Sequence, residues 1–392
     1  MNRTYRRGAG LMLALTAAGS LAWSAGAAAT QPTLDPAGLR QAIAIRPGDH
    51  TAGVIARVQQ GGQQWRGQVA DTVTGRAIPP GAHIRIGSIS KTFEAVVALQ
   101  LAAGHVIDLD RTIQSYLPGL LPARYQPITI RQLLNMTSGL PQIGEGAPAE
   151  TADQVIADRF ASPSLAQIIQ PALRPNGRPW PGPHFAPGTK QEYDSLNYRI
   201  VAYLIERRTG HSFASELQAR ILRPLHLTQT VPAMAGGRPP AMPRPYLHGY
   251  ITDDAGALVD VSQQGADDTS IISTPDDIAR FFAALFSGRL LPPAELGQML
   301  SVPNVAYAST RDCLIEPHPG QACYGLGVQR LVLSDGTTLW GKTGSDLGYF
   351  TAYFRSLSGS LRLSYSLAET QVNGDGTLVG LRLAKAMGLT VP

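Results

Sequence analysis

A serine and a lysine three residues apart offer the first chemistry in this chain. Residues 88–91 read Ser-Ile-Ser-Lys, and the apolar residues that follow recur at helical spacing. Positions i and i+3 share one face of a helix, so Lys91 would lie within reach of the Ser88 hydroxyl. A serine attacks only when a nearby base takes its proton, and a lysine whose pKa is lowered can do so. The same spacing also fits a helix cap followed by a solvated lysine.

Two later segments carry groups that suit the same chemistry. Residues 342–345 read Lys-Thr-Gly-Ser and follow an apolar stretch. On an edge strand they would present an ammonium, a hydroxyl and backbone N–H groups to a ligand lying alongside. Tyr193 and Ser195 precede a helical segment, where the first could relay a proton and the second could donate a hydrogen bond. Taken singly, these segments also fit a turn with a surface lysine and a buried tyrosine at a helix start.

The order Ser-x-x-Lys, Tyr-x-Ser, Lys-Thr-Gly is far more specific than any one motif. With it the chain resembles the superfamily of serine β-lactamases and penicillin-binding proteins, in the branch of class C β-lactamases and DD-carboxypeptidases. Tyr193 follows Ser88 by more than 100 residues, as in that branch. The resemblance spans about residues 35–390 and includes four further segments, 133–141 (LLNMTSGLP), 224–230 (PLHLTQT), 272–278 (ISTPDDI) and 324–327 (YGLG).

The resemblance implies three catalytic residues and an oxyanion hole. Ser88 would attack the substrate carbonyl and become the acyl-enzyme. Lys91 and Tyr193 would move protons, and either could be the general base. The backbone N–H groups of Ser88 and Ser345 would form the oxyanion hole.

The same resemblance implies the groups that bind the substrate. Lys342 and Thr343, with Gly344 beside them, would hold a substrate carboxylate, and Ser195 would contact the acyl amide. Two ammonium groups in one pocket disfavour each other. We therefore expect Lys91 to be the neutral lysine, which frees a base for the nucleophile, and Lys342 to stay charged.

Three positions depart from the family pattern. Ser195 stands where many relatives have asparagine, which alters the amide contact without removing it. Met136 replaces a usual histidine, and we expect this to change packing only. Gln329 occupies a position where some carboxypeptidases carry an arginine for the terminal carboxylate. Arg330 follows it, but adjacent strand residues face opposite sides, so this departure favours a broader esterase or amidase.

Strands at both ends of the chain and helices between them predict the scaffold. We expect an α/β protein of the β-lactamase/transpeptidase type, with a mostly antiparallel sheet built from both termini and flanked by helices. A helical or lid subdomain is expected at about residues 105–270. Helices are predicted at 34–45, 88–103, 152–160, 197–209, 275–286 (capped by Ser273 or Thr274) and 377–387, and strands at 51–58, 63–69, 84–86, 324–332, 338–341, 348–355 and 361–367.

The first 29 residues have the pattern of an export signal. Three arginines and no acid precede an apolar run at residues 9–23, and small residues at 25–29 fit a cleavage site. We expect a signal peptide at 1–29, a catalytic domain at 30–392, and a periplasmic or secreted bacterial protein with no other membrane segment. An uncleaved anchor is the alternative, and export by the Sec or the twin-arginine route is left open.

Charge and cysteine content exclude other classes. Without the signal, 30 basic residues face 28 acidic ones, too small an excess for a nucleic-acid-binding protein. Cys313 and Cys323 lie ten residues apart, which in an exported chain predicts a disulfide rather than free thiols. No histidine lies at ligand spacing from them, and we expect no metal or other cofactor.

Two other functions compete with a hydrolase. Residues 336–343 match the phosphate-binding pattern G-x-x-x-x-G-K-[ST], but a hairpin turn and later glycines replace the required strand–loop–helix. A non-catalytic penicillin-binding sensor is the second. The sequence best supports a serine hydrolase of the D-alanyl-D-alanine carboxypeptidase or β-lactamase kind acting on a peptide, β-lactam or ester, with a broad esterase or amidase as the alternative and the oligomeric state left open.

Overall fold

The structure is a computed structural model that describes most of the chain. The described residues are 34–145, 149–174, 177, 182–233, 241–308, 313, 320–372, 374 and 376–390. The predicted signal at residues 1–29 lies outside them. From Thr33 onwards the chain forms one compact unit.

The described segments alternate between strands at the two ends and helices in the middle. The strands are β1 Thr51–Gln60, β2 Gln63–Val69, β3 Ile84–Arg85, β4 Lys190–Gln191, β5 Val231–Pro232, β6 Tyr250–Thr252, β7 Leu258–Asp260, β8 Ile271–Ser273, β9 Ala306–Tyr307, β10 Gln329–Val332, β11 Thr338–Asp346, β12 Tyr349–Arg355 and β13 Leu361–Glu369. The helices are α1 Pro36–Ile43, α2 Ser90–Ala103, α3 Ile113–Tyr116, α4 Ile130–Leu134, α5 Ala152–Asp158, α6 Leu165–Leu173, α7 Ser195–Thr209, α8 Phe213–Leu217, α9 Pro275–Phe286, α10 Pro293–Met299 and α11 Thr377–Ala386.

The main sheet joins the two ends of the chain, as predicted. Its strand order is β10–β11–β12–β13–β1–β2, and all neighbours are antiparallel. Successive strand residues point to opposite faces of a sheet. Val54 and Val58 of β1 therefore join one core cluster with α1 and α11, whereas Ile55 joins the larger cluster around α2. Helices cover both faces of the sheet, which gives the mixed α/β arrangement that the resemblance implies.

A second, three-stranded sheet leads the chain into the site. β3 pairs with β8, which in turn pairs with β5. Directly after β3, residues Gly87–Ile89 form a 3₁₀ turn, and α2 begins at Ser90. The predicted helix at 88–103 is therefore right in extent but starts as a 3₁₀ turn. The predicted apolar face of α2 is buried, and it includes Phe93, Val96 and Val97.

The predicted strand at 324–332 is wrong in its first half. Only Gln329–Val332 forms β10, and Tyr324 makes an isolated bridge to Gln329. The chain bends at Gly327, which has a φ of 78°. A Cβ there would lie 2.4 Å from Ala95 Cβ on α2, so the close packing of this bend on α2 requires glycine.

Two smaller predictions are also settled. Thr274 caps α9, because its side chain accepts a hydrogen bond from the Asp277 N–H. Residues 336–343 lie in the β10–β11 hairpin and along β11, which is not the strand–loop–helix of a phosphate-binding loop.

Within the described ranges, no helix combines the length and apolar character needed to span a membrane.

Candidate active site

Ser88 lies in the 3₁₀ turn that precedes α2, and its side chain meets two proton-carrying groups. Lys91, one turn further on, is buried, and its Nζ lies 3.2 Å from Ser88 Oγ. Tyr193 Oη donates to the same oxygen at 2.5 Å. The three residues predicted to be catalytic therefore converge on one oxygen, although more than 100 residues separate the tyrosine from the serine.

The electrostatics around Tyr193 favour its ionised form. Burial alone would raise the pKa of this phenol, but the positive charge of Lys342, with a smaller contribution from Lys91, outweighs burial and lowers the pKa to about 8. Lys342 Nζ lies 4.7 Å from the centroid of the Tyr193 ring and Lys91 Nζ lies 5.4 Å from it. A phenol whose pKa is near 8 can accept and return a proton near neutral pH.

The second half of β11 lies open towards the turn that holds Ser88. β10 pairs with β11 only as far as Gly341. Beyond it, a Cβ on Gly344 would lie 2.0 Å from Ile86 O and 2.8 Å from the Ser88 nitrogen. A Cβ on Gly87, whose φ is 48°, would lie 2.7 Å from the Ser345 nitrogen. The two glycines thus bring the backbone amides of Ser88 and Ser345 close together, which is where the oxyanion hole is predicted.

Lys342 and Thr343 stand at the start of this open segment. Lys342 is buried, and its Nζ donates to Thr343 O at 3.1 Å and lies 5.3 Å from the Tyr324 ring centroid. Ser345 is exposed and Thr343 is half-buried. The predicted carboxylate-binding groups therefore lie along one strand, next to the tyrosine that contacts Ser88.

Ser195 begins α7, and its neighbour fixes the start of that helix. Asp194 caps α7 by accepting from the Leu196 N–H at 2.8 Å. Asp194 is buried, and this burial raises the pKa of its carboxyl to about 8. Ser195 is half-buried and lines the same cavity as Ser88, which brings the predicted amide-binding serine close to the predicted nucleophile.

Two glutamines that the sequence analysis missed hold the Tyr193 segment. Gln142 Nε2 donates to the carbonyl of Tyr193 at 2.7 Å. Gln191 is fully buried. Its Nε2 donates to the carbonyl of Tyr324, and its Oε1 accepts from the Tyr324 N–H. Tyr307 Oη accepts from the Tyr193 N–H at 2.9 Å. Gln142 directly follows the LLNMTSGLP segment, the one sequence signal that pointed near it.

Met136 does more than change packing. Its Sδ accepts from the Asp194 N–H at 3.5 Å and from Asn197 Nδ2 at 3.6 Å. Its φ is 62°, an uncommon backbone conformation for a side chain of this kind. The sulfur thus serves as a weak acceptor that connects the LLNMTSGLP segment to the start of α7.

The structure joins Cys313 to Cys323 by a disulfide, as the sequence predicted. Cys323 is buried, and its N–H donates to Gln191 Oε1 at 2.9 Å. Gln329 Nε2 faces the Cys323 sulfur at 3.7 Å, so its amide is turned towards the bridge. The disulfide therefore supports the segment that carries Tyr324 beside Lys342.

His184 ties the loop after LLNMTSGLP to the Tyr193 segment. Its Nδ1 lies 2.7 Å from Glu192 Oε2 and its Nε2 lies 2.9 Å from Glu145 Oε2. Glu145 also accepts from the Gln142 N–H at 2.8 Å. Burial lowers the pKa of His184, but the two glutamates outweigh it, so the pKa is raised above the ordinary 6.5.

The raised pKa of His184 predicts a pH-dependent stability. Its contribution should be fully present below pH 6.5 and lost as the pH rises through the folded-state pKa. His184→Gln should therefore lower the free energy of unfolding more at about pH 6 than at about pH 8.5. Urea unfolding at several pH values measures this difference. A double variant, Glu145→Gln with Glu192→Gln, should lose the pH dependence, and an equal loss for His184→Gln at both pH values would contradict it.

Comparison with known proteins shows that the fold is of the β-lactamase/transpeptidase type, as predicted, and that the chain is related to the serine hydrolases of this fold. A family model described as Beta-lactamase matches residues 39–358. The chain belongs to the Beta-lactamase family, within the superfamily of serine β-lactamases and penicillin-binding proteins. The superfamily predicted from the sequence motifs is thereby confirmed.

Individual relatives differ in the activity that their names give. A Beta-lactamase of Yersinia enterocolitica is 25% identical over 224 residues, 57% of this chain and 52% of that protein. A D-aminopeptidase of Brucella anthropi is 34% identical over 155 residues, 40% of this chain and 27% of that protein. The crystal structure of a D-stereospecific amidohydrolase from Streptomyces sp. has a TM-score of 0.73 and 28% identity, with 88% of this chain and 97% of that chain covered. The matched region covers about half the length of this Yersinia enterocolitica β-lactamase, 52%, and of a β-lactamase of Escherichia coli (strain K12), 58%.

Proposed function

We propose that this protein is a serine hydrolase that forms an acyl-enzyme on Ser88 and cleaves amide bonds next to D-configured residues. The observation that carries the proposal is the meeting of Tyr193 Oη and Lys91 Nζ at Ser88 Oγ. This meeting lies beside two backbone amides that the glycines at 87 and 344 bring together.

The proposed reaction uses these groups in sequence. Tyr193, with Lys91 beside it, takes the proton of Ser88 as Oγ attacks the substrate carbonyl carbon. Negative charge forms on the carbonyl oxygen and is stabilised by the N–H groups of Ser88 and Ser345. The C–N bond breaks, and the amine leaves with the proton that Tyr193 returns. Water then attacks the ester in the same way, which releases the acid and restores Ser88.

The D-configuration rests on the relatives. By their names, the Streptomyces protein acts on amides with D-stereospecificity and the Brucella protein is a D-aminopeptidase. The first of these is matched over nearly its whole length. Its amide chemistry needs an activated serine and an oxyanion hole, for which the residues around Ser88 provide groups.

Mass spectrometry and stereospecific kinetics test this function. We expect a D-amino acid amide to be cleaved faster than its L-isomer, and a slow ester or a penicillin to leave an adduct on Ser88. Cleavage of neither isomer, with no adduct, would contradict the proposal. An adduct without turnover of any amide or ester would favour the penicillin-binding sensor.

A carboxypeptidase that removes the last residue from D-alanyl-D-alanine peptides is the second candidate. The buried ammonium of Lys342, next to the Tyr193 ring, favours it, because a free carboxylate could pair there with Lys342 and Thr343. The orientation of Gln329 towards the disulfide gives no further carboxylate partner and favours the amidase.

Lys342→Ala separates the two candidates. A carboxypeptidase should lose release of D-alanine by about tenfold or more beyond any loss on a neutral ester, since a charged hydrogen bond to the carboxylate is removed. An amidase should lose hydrolysis of a D-amino acid amide and of the neutral ester alike, through the altered pKa of Tyr193. Lys385→Ala, on the exposed side of α11, is the matched control. A native enzyme that cleaves the ester but releases no D-alanine excludes the carboxypeptidase.

We further propose that residues 1–29 direct export and are removed, leaving a catalytic domain at 30–392 with a helical subdomain at about 105–270. The charged start, apolar run and small residues of the sequence support this. Amino-terminal sequencing of the mature protein tests the cleavage site.

A further inference from the structure

A cavity of about 300 Å³ lies beside Ser88, on the side of Ser195. Its walls come from α2, the start of α7, the end of β11 and two loops at 161–163 and 265–270. The two loops pack closely at Gly265, where a Cβ would lie only 2.0 Å from Ala161 O, so a larger residue would not fit there. The Gly265 N–H also donates to Arg159 O at 2.7 Å. The loops that form this wall are therefore held to each other by packing and by a hydrogen bond, next to Ser88.

Charged side chains dominate the wall of this cavity. Glu94, Asp267 and Asp346 line it, and so do two cationic residues, Arg199 and Lys91. Asp267 is already paired with Arg199, at 2.5 Å. Asp346 accepts a hydrogen bond from the neighbouring Leu347 N–H at 2.9 Å. The pairing of Asp267 with Arg199 leaves two carboxyl groups, Glu94 and Asp346, against one lysine, Lys91, in the cavity.

Glu94 is the most unusual of these groups. It is fully buried in α2, and neither oxygen of its carboxyl has a hydrogen-bond partner among the described residues. Burial raises the pKa of Glu94 to about 7, against the opposing charges of Arg199 and Lys91. A buried acceptor without a partner costs free energy, and a cation that enters the cavity would offset that cost.

The depth of the cavity indicates which cation it suits. Glu94 follows Ser88 by six residues, which corresponds to about 9 Å along a helix axis. An α-amino group lies only about 2.5 Å from the carbonyl carbon of its own residue, whereas a lysine ammonium lies about 7–8 Å from it. The Glu94 carboxyl is therefore better matched to the end of a side chain than to an α-amino group.

Resting on the Ser88 chemistry proposed above, we propose that this cavity binds a primary ammonium at the end of the acyl residue's side chain, as in amides of D-lysine or D-ornithine. Such a group carries three donors for the carboxyls. An apolar chain would leave them unpaired, and an acidic chain would add a like charge beside Asp346 and Glu94.

A pair of substrates that differ only in the ammonium tests this. D-Lysine p-nitroanilide should be cleaved with a kcat/KM about ten- to hundredfold above that of D-norleucine p-nitroanilide, which has the same carbon chain. Asp346→Asn and Glu94→Gln keep the side-chain shape and should bring the ratio towards one. Asp335→Asn removes a carboxylate from the exposed β10–β11 turn and should leave the ratio unchanged.

Binding to Ser88→Ala tests the cavity without catalysis. By calorimetry, D-lysinamide should bind about tenfold or more tightly than D-norleucinamide, and Asp346→Asn should abolish the difference. Equal binding of the two amides, or a preference for an acidic D-residue through Arg199, would overturn the cavity proposal even if the enzyme cleaves D-amides. Loss of all turnover with selective lysinamide binding would overturn the hydrolase and keep the cavity.

Discussion

Replacing Ser88 with alanine should remove almost all hydrolase activity and the covalent adduct together. Lys91 and Tyr193 would then have no oxygen to activate, and only the oxyanion site and substrate binding would remain. Loss of a nucleophile of this kind lowers kcat by about 10³–10⁶-fold. Steady-state hydrolysis of a D-amino acid amide and of a neutral ester measures the first effect, and intact-protein mass spectrometry measures the second.

Ser287→Ala serves as the matched control for that experiment. Ser287 is exposed at the end of α9, where its Oγ donates to the Ala284 carbonyl, so its loss should leave turnover unchanged. Both variants should show the same urea midpoint to within the small effect of a surface substitution. Normal turnover by Ser88→Ala would contradict the acyl-enzyme and require another nucleophile.

The parts of the fold that sequence could predict are those that repeat a local pattern. The buried strand β1 and the helix α2 each have such a local pattern of apolar residues, and both form as predicted. The strand predicted at 324–332 failed because packing against α2 bends the chain at Gly327. No periodicity within the segment itself records that contact, so a tertiary contact overrode the local signal.

The candidate site divides in the same way. Its motif residues could be found because their types and order are specific, and the structure brings Ser88, Lys91 and Tyr193 together. The contacts of Gln191 could not be predicted, because it bonds backbone groups from distant segments. Glu94 did leave a signal, as a charged residue within an otherwise apolar helical run one turn after Lys91. The charged residues that share its cavity, however, come from three other segments, which carry Arg199, Asp267 and Asp346.

The lowered pKa of Tyr193 predicts how kcat/KM changes with pH. If its phenolate is the base, kcat/KM should be low when the phenol is protonated and should rise with pH through about 8. Tyr193→Phe should lower kcat/KM by about 10²–10⁴-fold, the usual worth of a general base, and the rise near pH 8 should disappear. Lys342→Ala should move that rise to higher pH, because one of the cations that stabilise the phenolate is removed.

A pH profile of kcat/KM on a neutral ester separates these possibilities, since the substrate itself does not titrate. Tyr203→Phe, a half-buried tyrosine on α7, controls for loss of a phenol elsewhere and should keep both the rate and the profile. If Tyr193→Phe keeps the rise near pH 8 at a reduced rate, the titrating group is another one. That result would leave Tyr193 to position Ser88 through its hydrogen bond to Ser88 Oγ.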